Sequence, residues 1–442
     1  MNDPKITCSR IDTDVVSHVE PSLNAMVEAE LPSLVEIYKQ LHAMPELSGQ
    51  EERTSAFLVR ELRELGYVVS DGIGKYEQYD WPGYGIVAVL ENGAGPAVLV
   101  RADMDALPVE EKTGLPYASK VKAIYRDGNE VHVMHACGHD IHMVSLLGVA
   151  RVLARLKEAW HGTLVLIGQP GEEGGGGAQA MLDDGAYRHC PKPDYALALH
   201  STLHLKAGMA GYVPGNFMAS FTELEITLRG VGAHGSAPEH GKDPIVMAAQ
   251  MILALQTIVS REQSPHEPAV LTVGSIHGGA ASNIIPEEVL LKLSIRTYSD
   301  QVRDRIIASV RRIALGVAMV AGMPEDLAPL VKVKASHAAT YNDPYLTERV
   351  ARALRGALGA DNVVRTDPKM ASEDFGSWGL GGVIPTCMFW LGAADPLRYE
   401  ESVRSGIPLP SHHSPLFAPL PEPTIRAGVK GVSAAVLDLL AS

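Results

Sequence analysis

The stretch HACGHDIH, residues 135–142, brings a thiol, several imidazoles and a carboxylate close together in the chain. Cys137 and His139 are two positions apart, so in extended backbone their side chains project from the same face. Gly138 between them allows the backbone to approach a bound ion closely. A thiolate, imidazoles and carboxylates together suit zinc or another divalent transition metal better than calcium or magnesium.

The same stretch admits two other interpretations. Cys137 could be a nucleophile activated by a neighbouring histidine, or a small buried hydrophobic residue, which is the commoner fate of a free cysteine. We favour a metal site because Gly138 and His139 stand beside the cysteine. His135 and His142 are interpreted as structural, since not every histidine of a cluster can be a ligand.

A second chemical feature is the pair Glu172 and Glu173 in GQPGEEGGGG (168–177). Adjacent side chains diverge, so one carboxylate can hold a metal ion while the other faces a metal-bound water as general base. The alternative is that an acidic pair at a helix start is an ordinary partner of the helix dipole. We set a phosphate-binding loop aside, because no Gly-Lys-Ser/Thr ending follows and both carboxylates would repel phosphate.

Polar residues also follow three predicted strands. Asp103 and Asp105 follow the strand in PAVLVRAD (96–103). Glu172 and Glu173 follow the strand in TLVLIGQPGEE (163–173), and His200 ends the strand in YALALHS (195–201). HACGHD precedes a predicted helix and so lies in a strand-to-helix loop as well. Because open parallel sheets bind ligands beyond the carboxyl ends of their strands, several such endings at one edge predict a functional site.

The order of the elements predicts the fold. Helices over 29–67 come first, and apolar strands then alternate with helices, which is typical of a parallel sheet covered on both faces. Residues 221–336 instead follow β-α-β-β-α-β, the split ferredoxin-like order. We therefore predict an α/β protein, a mostly parallel mixed sheet flanked by helices, with an inserted ferredoxin-like α+β domain. The predicted boundaries are 1–215 and 338–442 for the main domain and 216–337 for the insert.

Composition limits the classes of function. The chain has 442 residues, of which 46% are hydrophobic and 20% charged, as in an ordinary globular protein. Its net charge of −14 argues against a nucleic-acid partner, which needs a basic face. Cys8, Cys137, Cys190 and Cys387 are widely spaced, so no disulfide framework or zinc ribbon is indicated. Neither a secretory signal nor an apolar run of about 18 residues is visible, which predicts a cytoplasmic protein without a membrane partner.

With these features in order, the chain resembles the co-catalytic metallo-amidohydrolase and peptidase family that includes aminoacylase and carboxypeptidases acting on N-acylated amino acids. Within that family the resemblance is to hippurate hydrolase and the plant indoleacetyl–amino acid hydrolases. The matching stretches run in the family's order along nearly the whole chain: LHAMPELSGQEERT (41–54), VRADMDALPV (100–109), HACGHDIH, GQPGEEGGGGAQAML (168–182), ALH (198–200), GVGAHGSAPEHGKDPI (230–245), SNIIP (282–286), SIRTY (294–298), MASEDF (370–375) and HHSPLF (412–417).

The resemblance implies two divalent metal ions, zinc or manganese, with nickel or cobalt as further options. One ion would be held by Cys137, His139 and His200, and the other by Cys137, Glu173 and His413, so that the thiolate bridges them. His413 matches the family's ligand better than His412 because it stands two residues before Pro415.

The resemblance also implies roles outside the metal ligands. Glu172 would be the general acid/base, and Asp103 either a carboxylate that orients a ligand imidazole or merely a cap at a strand end. His234 resembles a histidine that stabilises the tetrahedral oxyanion, often across a dimer interface. Asn283 and Arg296 resemble the groups that hold the substrate's carboxylate. The insert would therefore be a lid and dimerisation domain, and the protein a homodimer or higher homo-oligomer.

The implied function is hydrolysis of the amide bond of N-acyl amino acids, hippurate or related aryl-acyl conjugates, by a metal-activated water. The alternatives are a dipeptidase or aminopeptidase of the same family and a non-catalytic binding protein with a structural metal. The chain departs from the family's pattern at Gly171, at STLHL (201–205) and near His240. These departures fall where substrate is held, so the acyl preference stays open.

Overall fold

The computed structural model describes residues 14–76, 82–174 and 176–441, and Cys8 lies outside them. The helices are α1 (Asp14–Ala43), α2 (Glu52–Glu64), α3 (His139–Arg155), α4 (Gly177–Asp183), α5 (Pro244–Thr257), α6 (Asp300–Val320), α7 (Pro344–Leu358), α8 (Pro396–Ser405) and α9 (Pro421–Leu440). The strands are β1 (Val68–Ile73), β2 (Gly85–Asn92), β3 (Ala97–Asp103), β4 (Lys122–Ile124), β5 (Glu130–His132), β6 (Gly162–Gln169), β7 (Tyr195–Lys206), β8 (Ala210–Tyr212), β9 (Gly215–Ala219), β10 (Phe221–Arg229), β11 (Ala233–His234), β12 (Ala269–Gly278), β13 (Ile284–Ile285), β14 (Glu288–Thr297), β15 (Leu330–His337), β16 (Thr340–Asn342), β17 (Val363–Arg365), β18 (Lys369–Ser372) and β19 (Thr386–Ala394).

The main sheet has the strand order β1-β2-β6-β3-β7-β19-β8-β17. Its centre, β6, β3, β7 and β19, is parallel. Antiparallel pairs join β1 to β2, β2 to β6 and β19 to β8, and β17 is parallel to β8. Every residue of β3 and of β19 is buried, as expected for strands covered on both faces. The mostly parallel mixed sheet is therefore confirmed, and the carboxyl ends of its central strands meet at one edge.

Helices cover both faces of this sheet. On one face α1, α3, α7 and α9 share a hydrophobic core that includes Leu34, Leu147 and Val429. On the other face α4 packs near the segment 374–382, where Met181 and Trp378 are buried. The two layers hold the sheet edge rigid, which is a requirement for placing side chains accurately around a reaction centre.

The insert is a second sheet with its own core. Its strand order is β12-β14-β10-β15, all antiparallel, with α5 and α6 packed against it. Along β10 and β14 alternate residues are buried, so that Leu224 and Leu291 face Met251 and Val310 of the helices. The β-α-β-β-α-β order predicted for this region is confirmed.

The junction between the two parts lies close to β9. This strand pairs with β16 and β18, which follow the insert in sequence, and so belongs with the main domain. The boundary predicted at residue 216 falls inside β9, and the pairing favours a junction after Ala219. The domain division itself stays a prediction.

One stretch of the described chain, Pro244–Glu262, is long and apolar enough to cross a membrane by length and composition alone. A third of it is buried in the insert, where Met247, Met251 and Leu255 belong to the core. This is the pattern of a helix that covers a sheet on one side.

Close packing of α3 on α9 generates a test of the fold. A Cβ at Gly148 of α3 would lie 2.4 Å from Cγ2 of Val429, whereas a Cβ at Gly316 of α6 would meet no atom within 4 Å. We expect Gly148→Ala to lower the free energy of unfolding by about 1–3 kcal/mol through overpacking. Gly316→Ala should raise it by about 0.5–1 kcal/mol through helix propensity. Denaturant titration measures both, and equal effects at the two positions would contradict the packing.

Candidate active site

Cys137 and His139 lie at the start of α3, and the glycine between them makes their approach to the sheet possible. Gly138 has a φ of 81° immediately before the helix. A Cβ at this position would lie 2.3 Å from Oγ of Ser201. Because only glycine satisfies both the backbone angle and the space, Cys137 and His139 come close to His200 on β7.

The predicted ligand atoms form two groups that share the sulfur of Cys137. In each group the ligand atoms lie within 4.8 Å of one another: Cys137, His139 and His200 in one, and Cys137, Glu173 and His413 in the other. Sγ of Cys137 is 3.7 Å from Nε2 of His200. Oε1 of Glu173 is 3.2 Å from Nε2 of His413 and 3.9 Å from Nε2 of His139, so the two groups adjoin.

These donor atoms fit a pair of transition-metal ions. Metal–ligand distances of about 2.0–2.3 Å in tetrahedral geometry place neighbouring donor atoms about 3.3–3.7 Å apart, close to the separations found here. Nε2 of His139 is buried and makes no hydrogen bond within the described part of the chain, and buried Oε1 of Glu173 has its shortest contact, 3.2 Å, with Nε2 of His413, another candidate ligand atom. A cation would satisfy both atoms, since buried polar atoms are otherwise nearly always paired.

The opposite nitrogen of two candidate ligands is already engaged. Nδ1 of His139 lies 2.8 Å from the carbonyl oxygen of Asp105, and Nδ1 of His200 lies 2.9 Å from that of Ser201. An Nδ1–H that donates to a carbonyl fixes the ring and leaves Nε2 free for a metal ion. Both rings are therefore oriented before any ion binds.

His413 lies on unusual backbone. Its φ of 66° is infrequent for a residue other than glycine and is often associated with functional sites. Its N–H donates to the carbonyl of Ala136 at 2.9 Å, which ties this loop to the segment that carries Cys137. The neighbouring His412 directs Nε2 to the carbonyl of Ser201 at 2.8 Å instead. The geometry thus favours His413 over His412 as a ligand.

Asp105 positions several site residues at once. Its buried carboxylate accepts the backbone N–H of Glu172 at 3.2 Å and that of Glu173 at 2.9 Å. It also accepts the hydroxyl of Ser48 at 2.6 Å, while its own carbonyl holds His139. One residue just beyond β3 therefore sets the relative positions of the glutamate pair and a ligand imidazole.

Glu172 lies in a region crowded with acids. Burial and the nearby charges of Glu373 and Glu173 raise the pKa of Glu172 well above its usual range. The buried Arg101 offsets part of this charge through contacts at 2.6 Å with Asp103, 2.8 Å with Glu373 and 3.0 Å with Asp374. A carboxyl group with a raised pKa suits a residue that must first accept and later donate a proton.

The shortest contact of Asp103 with a histidine is to His142, which is not a predicted ligand. Its Oδ1 lies 2.5 Å from Nδ1 of His142, whose Nε2 accepts the N–H of Ser201 at 2.8 Å. Both nitrogens of His142 are thereby used, which suits a structural role. The other oxygen of Asp103 lies 3.5 Å from Nε2 of His139. The ligand ring is oriented by Asp105, so the orienting role expected of Asp103 applies to His142.

The thiol of Cys137 is poorly suited to act as a nucleophile on its own. Burial and the charges of Glu173 and Glu172 raise its pKa well above the usual value, whereas cysteine nucleophiles need a lowered pKa. Burial also lowers the pKa of the neighbouring His200, so this imidazole does not supply a compensating positive charge. A bound cation would stabilise the thiolate. These surroundings favour a metal site over a cysteine hydrolase.

A cavity of about 540 Å³ opens at this edge of the sheet. Its walls include Cys137, Glu172, Glu173, His200 and His413 from the main domain and Phe221 and Arg296 from the insert. The guanidinium of Arg296 lies 4.6 Å from the centre of the Phe221 ring and contacts Oγ of Ser372. A guanidinium held in this way at a cavity wall can pair with a carboxylate in two parallel hydrogen bonds.

His234 and Asn283 lie apart from this cavity. They line a different depression of the insert together with His277, at the short β11–β13 ladder. His234 is exposed, and its Nδ1 lies 2.7 Å from Oγ of Ser236. Within one chain, the structure therefore does not bring His234 or Asn283 to the cavity that contains Glu172. An active-site role for these residues inside their own subunit is not supported.

The sequence pattern placed Asp105 at the functional edge of the sheet without a specific role, and it did not single out Arg101, Glu373 or Asp374. A signal was present, since VRADMDALPV and MASEDF, which contain these residues, are among the stretches that carry the family resemblance. Their roles rest on long-range contacts, such as that of Arg101 with Glu373, and on backbone N–H groups, neither of which a motif displays.

The position of Asp105 generates a prediction about metal affinity. Asp105→Ala removes the acceptor for the N–H groups of Glu172 and Glu173, so we expect divalent-metal affinity to fall about 10- to 100-fold. Ser48→Ala, which removes one donor to Asp105 and leaves the glutamates untouched, is the matched control. Metal titration of the apoprotein measures both, and equal affinities for Asp105→Ala and Ser48→Ala would rule the role out.

Comparison with known proteins identifies the family. The model of peptidase family M20/M25/M40 matches residues 99–403. N-acetyl-L-cysteine deacetylase of Bacillus subtilis is 36% identical over 367 residues, covering 82% of this chain and 81% of the relative. Hippurate hydrolase of Campylobacter jejuni is 36% identical over 342 residues, covering 77% and 83%.

A solved structure adds the metal chemistry. The crystal structure of a dinuclear metal-binding peptidase of the M20 family from Bacillus subtilis has a TM-score of 0.74 and 27% identity, and the match covers 94% of this chain and 99% of that one. Together with the paired ligand groups at the sheet edge, these matches support a centre of two divalent ions. The chain belongs to peptidase family M20/M25/M40 and is a metal-dependent amidohydrolase.

Proposed function

We propose that this enzyme hydrolyses the amide bond of N-acyl amino acids, with Glu172 as the general acid/base. The observation that carries the proposal is that Glu172, Arg296 and ligands of both groups, namely Cys137, His200, Glu173 and His413, line a single cavity. A proton-transfer group and a carboxylate-binding group thus flank one reaction centre. The names of the relatives, a deacetylase of N-acetylcysteine and a hydrolase of hippurate, support a substrate that joins an acyl group to an amino acid.

The metal ions proposed are zinc or manganese, and the donor set is also compatible with nickel or cobalt. Cys137, His139 and His200 would hold one ion, and Cys137, Glu173 and His413 the other. When bound, the ions would supply a Lewis acid for the amide carbonyl and lower the pKa of the attacking water.

Proton transfer and substrate binding are carried out by side chains of the protein. Glu172 accepts a proton from the attacking water and later donates it to the leaving amine. Arg296 pairs with the carboxylate of the amino acid and thereby fixes the amide relative to Glu172. Phe221 restricts the guanidinium so that less freedom is lost when substrate binds.

We further propose that the enzyme acts as a homodimer in which His234 of one subunit stabilises the oxyanion in the site of the other. Its depression also contains Asn283, the second group expected to contact substrate. The same domain exposes large apolar side chains, namely Ile245, Val246 and Leu253 of α5 and Val270 and Ile276 of β12. The outer edge of β12 pairs with no strand of the described chain. Such a face suits contact with a second copy.

A dipeptidase or aminopeptidase of the same family is the second candidate. Recognition of a free substrate amine needs an acidic partner, and Glu223 of the insert lines the cavity near Arg296. A panel that compares dipeptides with their N-acetylated forms separates the two activities. Faster hydrolysis of the N-acyl amino acids is the result expected here.

We also propose a cytoplasmic location. The cysteines of the described chain, Cys137, Cys190 and Cys387, are all free thiols, as is usual in a reducing compartment.

Replacement of Glu172 tests the chemistry. Glu172→Gln should retain both metal ions but lower kcat about 100-fold or more, because it removes proton transfer and leaves the ligands in place. Glu173→Gln should instead lower metal occupancy, which makes it the matched control. Turnover and metal content measured on the same samples check both expectations, and wild-type turnover in Glu172→Gln would exclude the proposed acid/base.

Mixing two inactive variants tests the dimer. Glu172→Gln and His234→Ala are each expected to be nearly inactive, and a mixture in equal amounts, after subunit exchange, should regain about one quarter of wild-type activity. Half of the dimers are then mixed, and one of their two sites combines an intact Glu172 with an intact His234 from the other subunit. If the mixture stays inactive although exchange is complete, His234 does not act across an interface.

A further inference from the structure

A second chamber adjoins the metal cavity, and the proposed function leaves it without a role. It measures about 420 Å³, within the range of roughly 300–1,000 Å³ typical of small-molecule sites. Its walls are Thr202, His204 and Leu205 at the end of β7, the residues 366–367 and 369–371, and the rings of Trp390 and His412. Ala371, Trp390 and His412 also line the metal cavity, so the two spaces meet at these residues.

The position of Arg296 indicates which part of a substrate would reach the chamber. Arg296 lines the metal cavity but not the chamber. If the carboxylate of the substrate binds Arg296 and its amide lies at the ligand groups, the amino-acid half of the substrate occupies the metal cavity. The acyl group extends from the amide in the opposite direction, away from Arg296. A larger cavity of about 790 Å³ also meets the metal cavity, at Ala335 and His337, but both residues belong to the insert, as Arg296 does. The chamber is lined by residues of the main domain alone, so we assign the acyl group to it.

The lining determines the chemistry of the occupant. Asp367 and Lys369 bring opposite charges to the chamber, and His204 and His412 bring imidazole rings. Its other walls include the apolar side chains of Leu205 and Met370 and the indole of Trp390. The indole is 6% exposed and is held by Phe217, whose ring centre lies 4.8 Å away. A fixed aromatic wall with balanced charge suits an uncharged, flat acyl group.

Met370 is the residue best placed to set the size of the chamber. It lines the chamber and not the metal cavity, and it is half-buried. Leu205, by contrast, packs so closely that a Cβ at Gly211 would lie 2.8 Å from its Cδ1. The flexible methionine can therefore change without disturbing the sheet.

We propose that this chamber is the acyl subsite, that it accepts an uncharged acyl group of aryl size, and that Met370 limits how large that group can be. The proposal rests on the proposed function. It also gives a physical meaning to the departure from the family's pattern at STLHL, because three residues of that stretch form one wall of the chamber.

The test compares Met370→Trp with wild type on N-acetyl and N-benzoyl derivatives of the same amino acid. The indole would fill the chamber, so kcat/KM for the benzoyl substrate should fall about 10-fold or more, while that for the acetyl substrate should change less than about 3-fold. Val383→Trp, which adds the same side chain at an exposed position outside both cavities, should change neither. Unchanged activity on the acetyl substrate shows that the variant is folded and retains its metal centre.

A second pair of substrates tests the requirement for an uncharged group. Wild type should hydrolyse the N-(methyl succinyl) amino acid about 10-fold or more faster than the N-succinyl one, because the free carboxylate would be desolvated without a net opposite charge. Equal losses on acetyl and benzoyl substrates in Met370→Trp, no loss on either, or a preference for N-succinyl would overturn the subsite. If wild type hydrolyses no N-acyl amino acid, the proposed function fails together with it.

Discussion

The structure depends on a concentration of buried carboxyl groups at one edge of the main sheet. The acids gathered there are Asp103, Asp105, Glu172, Glu173, Glu373 and Asp374, with the thiol of Cys137 among them. Arg101 contacts three of these carboxylates, yet burial still raises the pKa of Glu373 to about 8 and that of Glu172 well above its usual range. Buried acids at such density need compensating positive charge. A pair of divalent cations held by the two ligand groups would supply that charge where Arg101 does not reach.

This constraint explains why the surrounding elements are so tightly specified. The backbone at Gly138 permits only glycine, and the left-handed backbone at His413 is held by a bond to the segment of Cys137. The carbonyl of Asp105 contacts His139 at the start of α3, and its carboxylate accepts the N–H groups of Glu172 and Glu173. Asp105 therefore fixes the position of α3 relative to the glutamate pair. Each of these features brings a metal-ligand atom from a distant part of the chain to the same site. The rigid sheet beneath prevents these atoms from moving apart.

Much of this could be predicted from the sequence. Apolar runs that end in polar residues located β3, β6 and β7 and placed their endings at one edge, and ordered motifs identified the ligand candidates that the structure brings together. Strand β1 was not predicted, because VVSDGI carries polar and glycine residues and lies at an antiparallel edge. Strand β2 was not predicted either, although its apolar run GIVAVL is a strand signal. The role of Asp105 depends on backbone N–H groups of other residues, which no residue type reveals. The separation of His234 from Glu172 depends on how the insert is placed against the main domain, which local periodicity does not encode.

The central claim is that two cations share the sulfur of Cys137, and metal stoichiometry tests it most directly. Elemental analysis after equilibration with zinc or manganese should find two ions per wild-type chain, one per chain in His413→Ala, and fewer than one in Cys137→Ala, because only the cysteine belongs to both groups. Retention of two ions by Cys137→Ala, or a wild-type chain that binds a single ion at saturation, would contradict the account.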